Sequence, residues 1–269
     1  MQSDWDASAE AWIESLKTGC DFSRVAVLDR PMLAAVDASG ARRVLDVGCG
    51  EGRFCRMISE TVPQVVGLDP TARLLSEARK LGGAQYAQGR AEDMPFEDRD
   101  FDMVVSYLSL IDIPDNAAAI AEMARVVRPG GYVLIANLNS WVTAAQTKGR
   151  GVVRNKQGHS TMTVANYLTP HWYWAKWRGV KIKNWHRPVS QYMREALQAG
   201  LRLEDFQEPL ADAGWARSES YNHAPYFWLQ LWGKPEQARL SLSLSLSLSL
   251  SLRIPPSAMN AGAVTKLSD

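Results

Sequence analysis

The residues best placed to do chemistry lie in one stretch, Arg43-Val44-Leu45-Asp46-Val47-Gly48-Cys49-Gly50-Glu51-Gly52-Arg53-Phe54. Three glycines fall at every second position, with two carboxylates, Asp46 and Glu51, beside them. Glycines between a strand and a helix build a turn where backbone approaches a ligand closely. A carboxylate at the strand's end is costly to bury alone, so Asp46 is expected to accept hydrogen bonds from the loop or from a ligand. The dinucleotide fingerprint is G-x-G-x-x-G, whereas this loop is G-x-G-x-G behind an acid. A helix start favours an anion, yet the two acids oppose a pyrophosphate. A ligand carrying positive charge suits the loop better.

The elements around the loop must position it. Val44 to Val47 read as a short buried strand and Phe54 to Glu60 as a helix. Gln64 to Pro70 read as a second strand ending in Asp69, a carboxylate able to accept two hydrogen bonds from a ribose cis-diol. The same Asp-Pro-Thr also suits a helix cap for residues 71–80. Further strands are expected over 84–88, 101–107 and 132–137, with a helix over 116–127 stopped by Arg128-Pro129-Gly130-Gly131. Residues 101–107 are nearly continuous in apolar side chains, as in a parallel strand covered on both faces. A helix over 189–199 and strands over 201–208 and 225–232, the last antiparallel, complete the pattern. The result is an α/β fold with a doubly wound, seven-stranded, mostly parallel sheet. Ligands bind such sheets outside the carboxyl ends of the strands.

The pattern Val44-Leu45-Asp46-Val47-Gly48-Cys49-Gly50-Glu51-Gly52 closely resembles the first motif of the class I S-adenosylmethionine-dependent methyltransferases. Val126-Val127-Arg128-Pro129-Gly130-Gly131 matches the same family. The resemblance is to the small-molecule branch of ubiquinone/menaquinone type (methyltransferase type 11). It covers residues 40–137 with specific motifs and extends loosely to 233. It implies a Rossmann-like sheet of order 3-2-1-4-5-7-6 and S-adenosyl-L-methionine as cofactor, with S-adenosyl-L-homocysteine as product. The cofactor's sulfonium and ammonium agree with an acidic loop. By the same resemblance Asp46, Gly48, Cys49, Gly50, Gly52 and Arg53 hold the methionyl part, Asp69 and Pro70 the ribose, and Ala91 with Glu92 the adenine. Arg90 stands where many relatives carry Asp, which leaves Glu92 or Asp93 for the adenine amino group. Ser106 faces the methionyl end, and Tyr107 is either a pocket wall or an ordinary core aromatic. The implied reaction is in-line displacement of a methyl group by an O, N, S or C nucleophile, helped chiefly by positioning and desolvation. A nicotinamide-dependent oxidoreductase is disfavoured by the glycine spacing.

Two flanking regions stand apart from this core. Residues 1–39 are expected to form a helical cap, either covering the sheet edge or acting as a lid whose Trp12 touches the cofactor or the acceptor. Residues 40–237 are expected to form the methyltransferase domain that the resemblance implies, with 138–188 as an insertion too long for a simple crossover. That insertion holds Trp141, His159, Tyr167, His171, Trp172 and His186 among basic residues. It reads as a lid whose rings line an apolar pocket, with nucleic-acid stacking as the alternative. Trp141 and Trp172 are candidate acceptor walls. His186, His171 and Tyr167 are candidate general bases, although histidines beside aromatics are commonly structural. A small aromatic or apolar metabolite is the expected acceptor. RNA or protein methylation and non-catalytic cofactor binding are the alternatives.

The chain has 269 residues, 46% hydrophobic and 22% charged, with a net charge of +1. That balance gives no global reason to expect nucleic acid or an anionic membrane as partner. A small-molecule partner and a monomer or homodimer are expected. Three cysteines show no metal-ligand spacing, so no metal is expected, and a reducing cytoplasm fits them better than disulfides. No signal-peptide core or membrane-length apolar run is present. From Leu240 to Leu252 leucine and serine alternate strictly. A repeated CT dinucleotide would encode that alternation, so residues 238–269 are expected to be a slippage product and an unstructured tail; mixed Ser and Leu codons in the gene would refute this.

Overall fold

The structure is a computed structural model that describes residues 4–17, 21–145, 153–154, 160–215 and 217–236. Cys20, His159 and the Ser-Leu alternation lie outside the described residues. One compact unit spans Met1–Glu236. Its strands are β1 (Arg43–Val47), β2 (Gln64–Asp69), β3 (Gln85–Gln88), β4 (Phe101–Tyr107), β5 (Val127–Leu138), β6 (Val153–Arg154), β7 (Ser160–Thr161), β8 (His171–Trp177), β9 (Val180–His186), β10 (Arg202–Gln207) and β11 (Phe227–Gly233). The helices are α1 (Asp4–Lys17), a π-helical turn (Arg24–Leu28), α2 (Asp29–Ser39), α3 (Arg53–Ile58), α4 (Ala72–Leu81), α5 (Asn116–Val126), α6 (Ser140–Ala145), α7 (Val189–Gln198) and α8 (Ser218–Asn222).

Seven strands pair in the order β3-β2-β1-β4-β5-β11-β10. β1 to β5 run parallel, and β11 is antiparallel to both β5 and β10. Counting only these seven in chain order gives 3-2-1-4-5-7-6, the expected sheet. Apolar side chains project from both faces, so β1 and β4 are buried on both sides. One face packs Phe101, Ile120, Tyr192, Trp228 and Trp232 against α5 and α7. The other packs Met32, Phe54, Leu75 and Leu134 against α2, α3 and α4. Each such fully buried side chain contributes roughly 1.5–3 kcal/mol of burial free energy.

Two local expectations differ from the structure. Within the expected helical cap the sequence places a helical stretch over about 23–36, interrupted near Pro31; the structure has a π turn followed by α2, with Pro31 in the first turn of α2. A missing N–H is tolerated near a helix start, so the proline does not break the helix. The strand expected from Tyr132 begins at Val127 instead: Val127 already pairs with Phe101, and Arg128 to Gly131 form an irregular stretch before Tyr132 pairs with Met103, with Gly130 at a φ of 75°. Gly130 N–H donates to Lys234 O at 2.8 Å, and Lys234 N–H donates to Gly131 O at 2.9 Å. A Cβ on Gly131 would lie 2.5 Å from Asp102 O, which explains the glycine.

The 138–188 insertion contributes two hairpins, β6–β7 and β8–β9. α1 covers the free edge of β9. Ser8 Oγ donates to Lys181 O and accepts from Lys181 N–H, both at 3.1 Å, and Asp4 accepts from Lys183 N–H at 3.3 Å. An unpaired strand edge thus finds its hydrogen bonds on a helix. β9 is also fixed to the loop after β4. Trp185 N–H donates to Ile111 O at 2.6 Å, and the buried Arg187 guanidinium donates to Leu110 O, Ile113 O and Pro114 O. These contacts place the hairpin beside the strand ends.

Candidate functional site

A cavity of ≈ 450 Å³ opens at the carboxyl ends of β1, β2 and β4. Gly48, Gly50 and Gly52 all have positive φ, at 75°, 56° and 80°. At Gly48 glycine is required twice over, because a Cβ there would also meet Ser109 Cβ at 2.4 Å. The loop is pinned to the next strand. Gly48 and Cys49 N–H both donate to Leu68 O, at 2.7 and 3.0 Å, and Gly50 N–H donates to Asp69 Oδ2 at 3.0 Å. Asp69 Oδ1 accepts from Thr71 N–H at 2.8 Å, so this one carboxylate ties the glycine loop to the start of α4. Both expected roles of Asp69 are therefore open to it, since each carboxylate oxygen keeps a further lone pair.

Buried acid dominates this end of the cavity. Asp46 is 2% exposed and accepts from the Cys55 thiol at 3.4 Å. Burial pushes the Asp46 carboxyl up to about 7, helped by the charges of Asp69 and Glu51 and opposed by the Cys55 hydrogen bond. Burial also raises Asp69, against the pull of the Thr71 and Gly50 amides. A carboxylate raised by desolvation gains from a cation brought beside it. The donor set thus fits a positively charged ligand and does not fit a pyrophosphate.

Most of the sequence candidates meet here. Asp46, Gly48, Cys49, Gly50, Arg53, Asp69, Pro70, Ala91, Glu92, Tyr107 and Trp12 all line the cavity. Gly52 stands just behind it as the N-cap of α3. Trp12 reaches the loop by donating from Nε1 to Glu51 Oε2 at 3.3 Å. Arg53 is held by Asp29, whose Oδ1 also accepts from the Tyr107 hydroxyl at 2.9 Å. Glu92 is engaged by Arg90 at 2.6 Å.

Others sit elsewhere. Ser106 is fully buried and shares a 2.7 Å hydrogen bond with Ser109; it is Ser109 that faces the cavity. His186 is fully buried, with Nδ1 at 2.7 Å from Thr143 Oγ1 and Nε2 at 2.8 Å from Tyr167 O. Burial lowers its pKa, which keeps the ring neutral. His171 packs on His186 with ring centroids 4.8 Å apart, and its Nδ1 bonds Thr169 O. None of His186, His171 and Tyr167 lines the cavity; His186 lies at the far end of β9, against Thr143 of α6. Trp141 packs on Tyr226 and Trp172 points outward, so neither lines it.

The opposite wall is formed by Trp5, Arg24, Asp112, Lys183 and Trp185; sequence reasoning missed Arg24 and Asp112, whereas Trp185 and Lys183 belong to the insertion expected to line a pocket. Asp112 Oδ2 accepts from Trp5 Nε1 at 3.1 Å and Oδ1 accepts from Asn184 Nδ2. Burial pushes Asp112 up to about 7 in spite of these two donors. It is therefore a cavity carboxyl able to exchange a proton near neutrality. The π turn aims Arg24 inward, its guanidinium 5.3 Å from the Trp12 ring centroid and 5.4 Å from that of Tyr107. No local signal marked Asp112, since its donors lie 107 and 72 residues away in the chain.

Residues 45–135 match the family model described as Methyltransferase domain. A demethylmenaquinone methyltransferase of Bacillus cereus is 34% identical over 122 residues, covering 42% of this chain and 52% of that protein. A malonyl-[acyl-carrier protein] O-methyltransferase of Pectobacterium atrosepticum is 34% identical over 125 residues, covering 45% and 49%. The chain thus spans about half the length of these curated relatives. An S-adenosylmethionine-dependent methyltransferase from Mesorhizobium loti superposes with a TM-score of 0.67 over 75% of this chain and 95% of that one, at 24% identity, which establishes a shared fold. The similarity to methyltransferases is thus centred on residues 45–135, the part of the chain that builds the glycine loop and β1 to β5.

Proposed function

We propose that the protein binds S-adenosyl-L-methionine and transfers its methyl group to a small acceptor with a flat or apolar body. The observation that carries this reading is the pair of desolvated carboxylates, Asp46 and Asp69, beside a positive-φ glycine loop in the matched domain. When bound, the cofactor supplies an already activated methyl group. Asp46 and the Gly48–Gly52 loop would hold the methionyl part, Asp69 the ribose hydroxyls, and Ala91 with Glu92 the adenine. The acceptor would lie between Tyr107, Trp5 and Trp185. Asp112 would take the acceptor's proton, replacing the histidines as candidate base. The protein's contribution is then mainly orientation and exclusion of water. The buried free thiols Cys49 and Cys55 support a reducing, cytoplasmic setting.

Calorimetric titration of the full chain with S-adenosylmethionine, S-adenosylhomocysteine and NAD tests the reading. Micromolar binding of the first two is expected. Asp69→Ala should weaken it by about a hundredfold, because the loop loses its anchor and the ribose its acceptor. Binding of NAD alone would overturn the proposal.

A further inference from the structure

The balanced net charge hides a strongly uneven distribution. Residues 138–188 contain nine lysines and arginines and no aspartate or glutamate. Within this block the β8–β9 hairpin has two unlike faces. Val180, Ile182, Asn184 and His186 alternate inward and are buried. Cross-strand register places Trp172 opposite Trp185, Trp174 opposite Lys183 and Lys176 opposite Lys181 on the other face. Trp172 is 46% exposed and Trp174 41%, and the adjoining loop exposes Leu168 at 80%. Among the described residues, Lys176, Lys181 and Lys183 form no ion pair. Exposed apolar rings interleaved with cations that lack an acidic partner among the described residues suit an occupant that is both anionic and apolar.

We propose that this outer face of the β8–β9 hairpin docks on an anionic lipid bilayer surface. Lysines supply attraction to acidic headgroups, and indoles settle at the level between headgroup and acyl chain. Single-stranded nucleic acid is the competing anion, but it requires free ring faces for stacking. Here Lys181 Nζ lies 4.5 Å from the Trp174 ring centroid, and Lys183 Nζ lies 5.2 Å from that of Trp172. The fully aliphatic Leu168 also suits lipid and offers nothing to a base. Lys183 and Trp185 belong both to this face and to the cavity wall. A lipid-dissolved acceptor would therefore meet the cavity at the bilayer; that extension rests on the methyltransferase reading, whereas lipid docking does not.

Co-sedimentation of the full chain with vesicles tests the docking. Vesicles of equal parts phosphatidylcholine and phosphatidylglycerol should bind at least tenfold more tightly than phosphatidylcholine alone, with loss at high salt and a blue shift of tryptophan emission. Lys176→Glu combined with Lys181→Glu should reduce binding about a hundredfold, and Trp174→Ser should abolish most of the blue shift. Cofactor titration in these variants separates loss of docking from loss of the cavity. Absence of vesicle binding, binding indifferent to headgroup charge, or variants that bind like the parent chain would overturn the proposal. Tighter binding to a single-stranded oligouridylate than to the acidic vesicles would overturn it in favour of nucleic acid.

Discussion

The glycine-loop side of the cavity and the hairpin side are joined at one opening but held by different forces. On the loop side the chain turns through three positive-φ glycines within five residues, and the groups that fix it are backbone amides and buried carboxylates. On the hairpin side the strands are regular apart from their turn at Arg178 and Gly179. The fixing contacts there come from α1 and from the loop after β4, both distant in sequence, the latter through Arg187 and Trp185. The loop side is desolvated and acidic, while the hairpin side is half exposed, aromatic and basic. A site that must hold one ligand in a fixed pose can be encoded locally. A surface that meets varied partners is assembled from afar.

The largest expected effect breaks the loop side. Gly48→Val places a Cβ against Ser109 and forces a β-branched residue to positive φ. Such strain together with overpacking costs on the order of 3 kcal/mol or more. Urea unfolding should show a lower midpoint. Lys176→Glu on the exposed hairpin should move the same midpoint by less than about 0.5 kcal/mol. Equal shifts would erase the distinction between the two regions.

The next comparison sets the two raised carboxyls, Asp46 and Asp112, against each other. Burial pushes each up to about 7 in the folded chain, against an ordinary aspartate value of 3.8. Between those values the folded state binds a proton that the unfolded state releases, so the contribution to stability is full at low pH. It is lost as pH rises through the folded value. At pH 8, Asp46→Asn should stabilise the free protein by on the order of 2 kcal/mol, with no gain at pH 4. The same variant should bind S-adenosylmethionine more weakly, because the cation loses its carboxylate. Asp112→Asn should give a similar gain at pH 8 yet leave cofactor affinity within a few-fold. Its methyl transfer should fall by roughly 10²–10⁴ if Asp112 takes the acceptor's proton. Melting curves and cofactor titrations on both variants separate binding acid from reacting acid.

What could be read from residues alone follows the same division. Asp46, the glycines and Asp69 were legible as cavity residues because motif spacing and strand ends fix them within about twenty-five residues, and Ala91 through the family resemblance. The strands followed from apolar runs separated by crossover helices, and their order from the family resemblance. The acceptor side was not legible, because Asp112 becomes a cavity acid only through Trp5 and Asn184. His186 drew notice by its residue type, but its ring spends both nitrogens on Thr143 and the Tyr167 carbonyl. Residue type marked chemistry, and long-range packing decided which type faced the cavity.

Trp12 is where the two regions touch, and it carries the smallest expected effect. Its indole donates to Glu51 beside Gly50, and its ring meets Trp5 and Trp177 edge-on, with centroids 5.8 and 6.3 Å away. Trp12→Phe keeps most of the ring contact and removes the N–H. The bond is long at 3.3 Å, and Glu51 keeps Arg56 as a partner. Loss of such a bond is worth about 1 kcal/mol, or roughly fivefold in affinity. Cofactor affinity should therefore drop about fivefold, with vesicle binding unchanged. If α1 only covers the sheet edge, affinity stays constant; if α1 orders the loop for its ligand, Trp12→Ala weakens binding further than Trp12→Phe, because the ring contacts that hold α1 to the hairpin are lost as well.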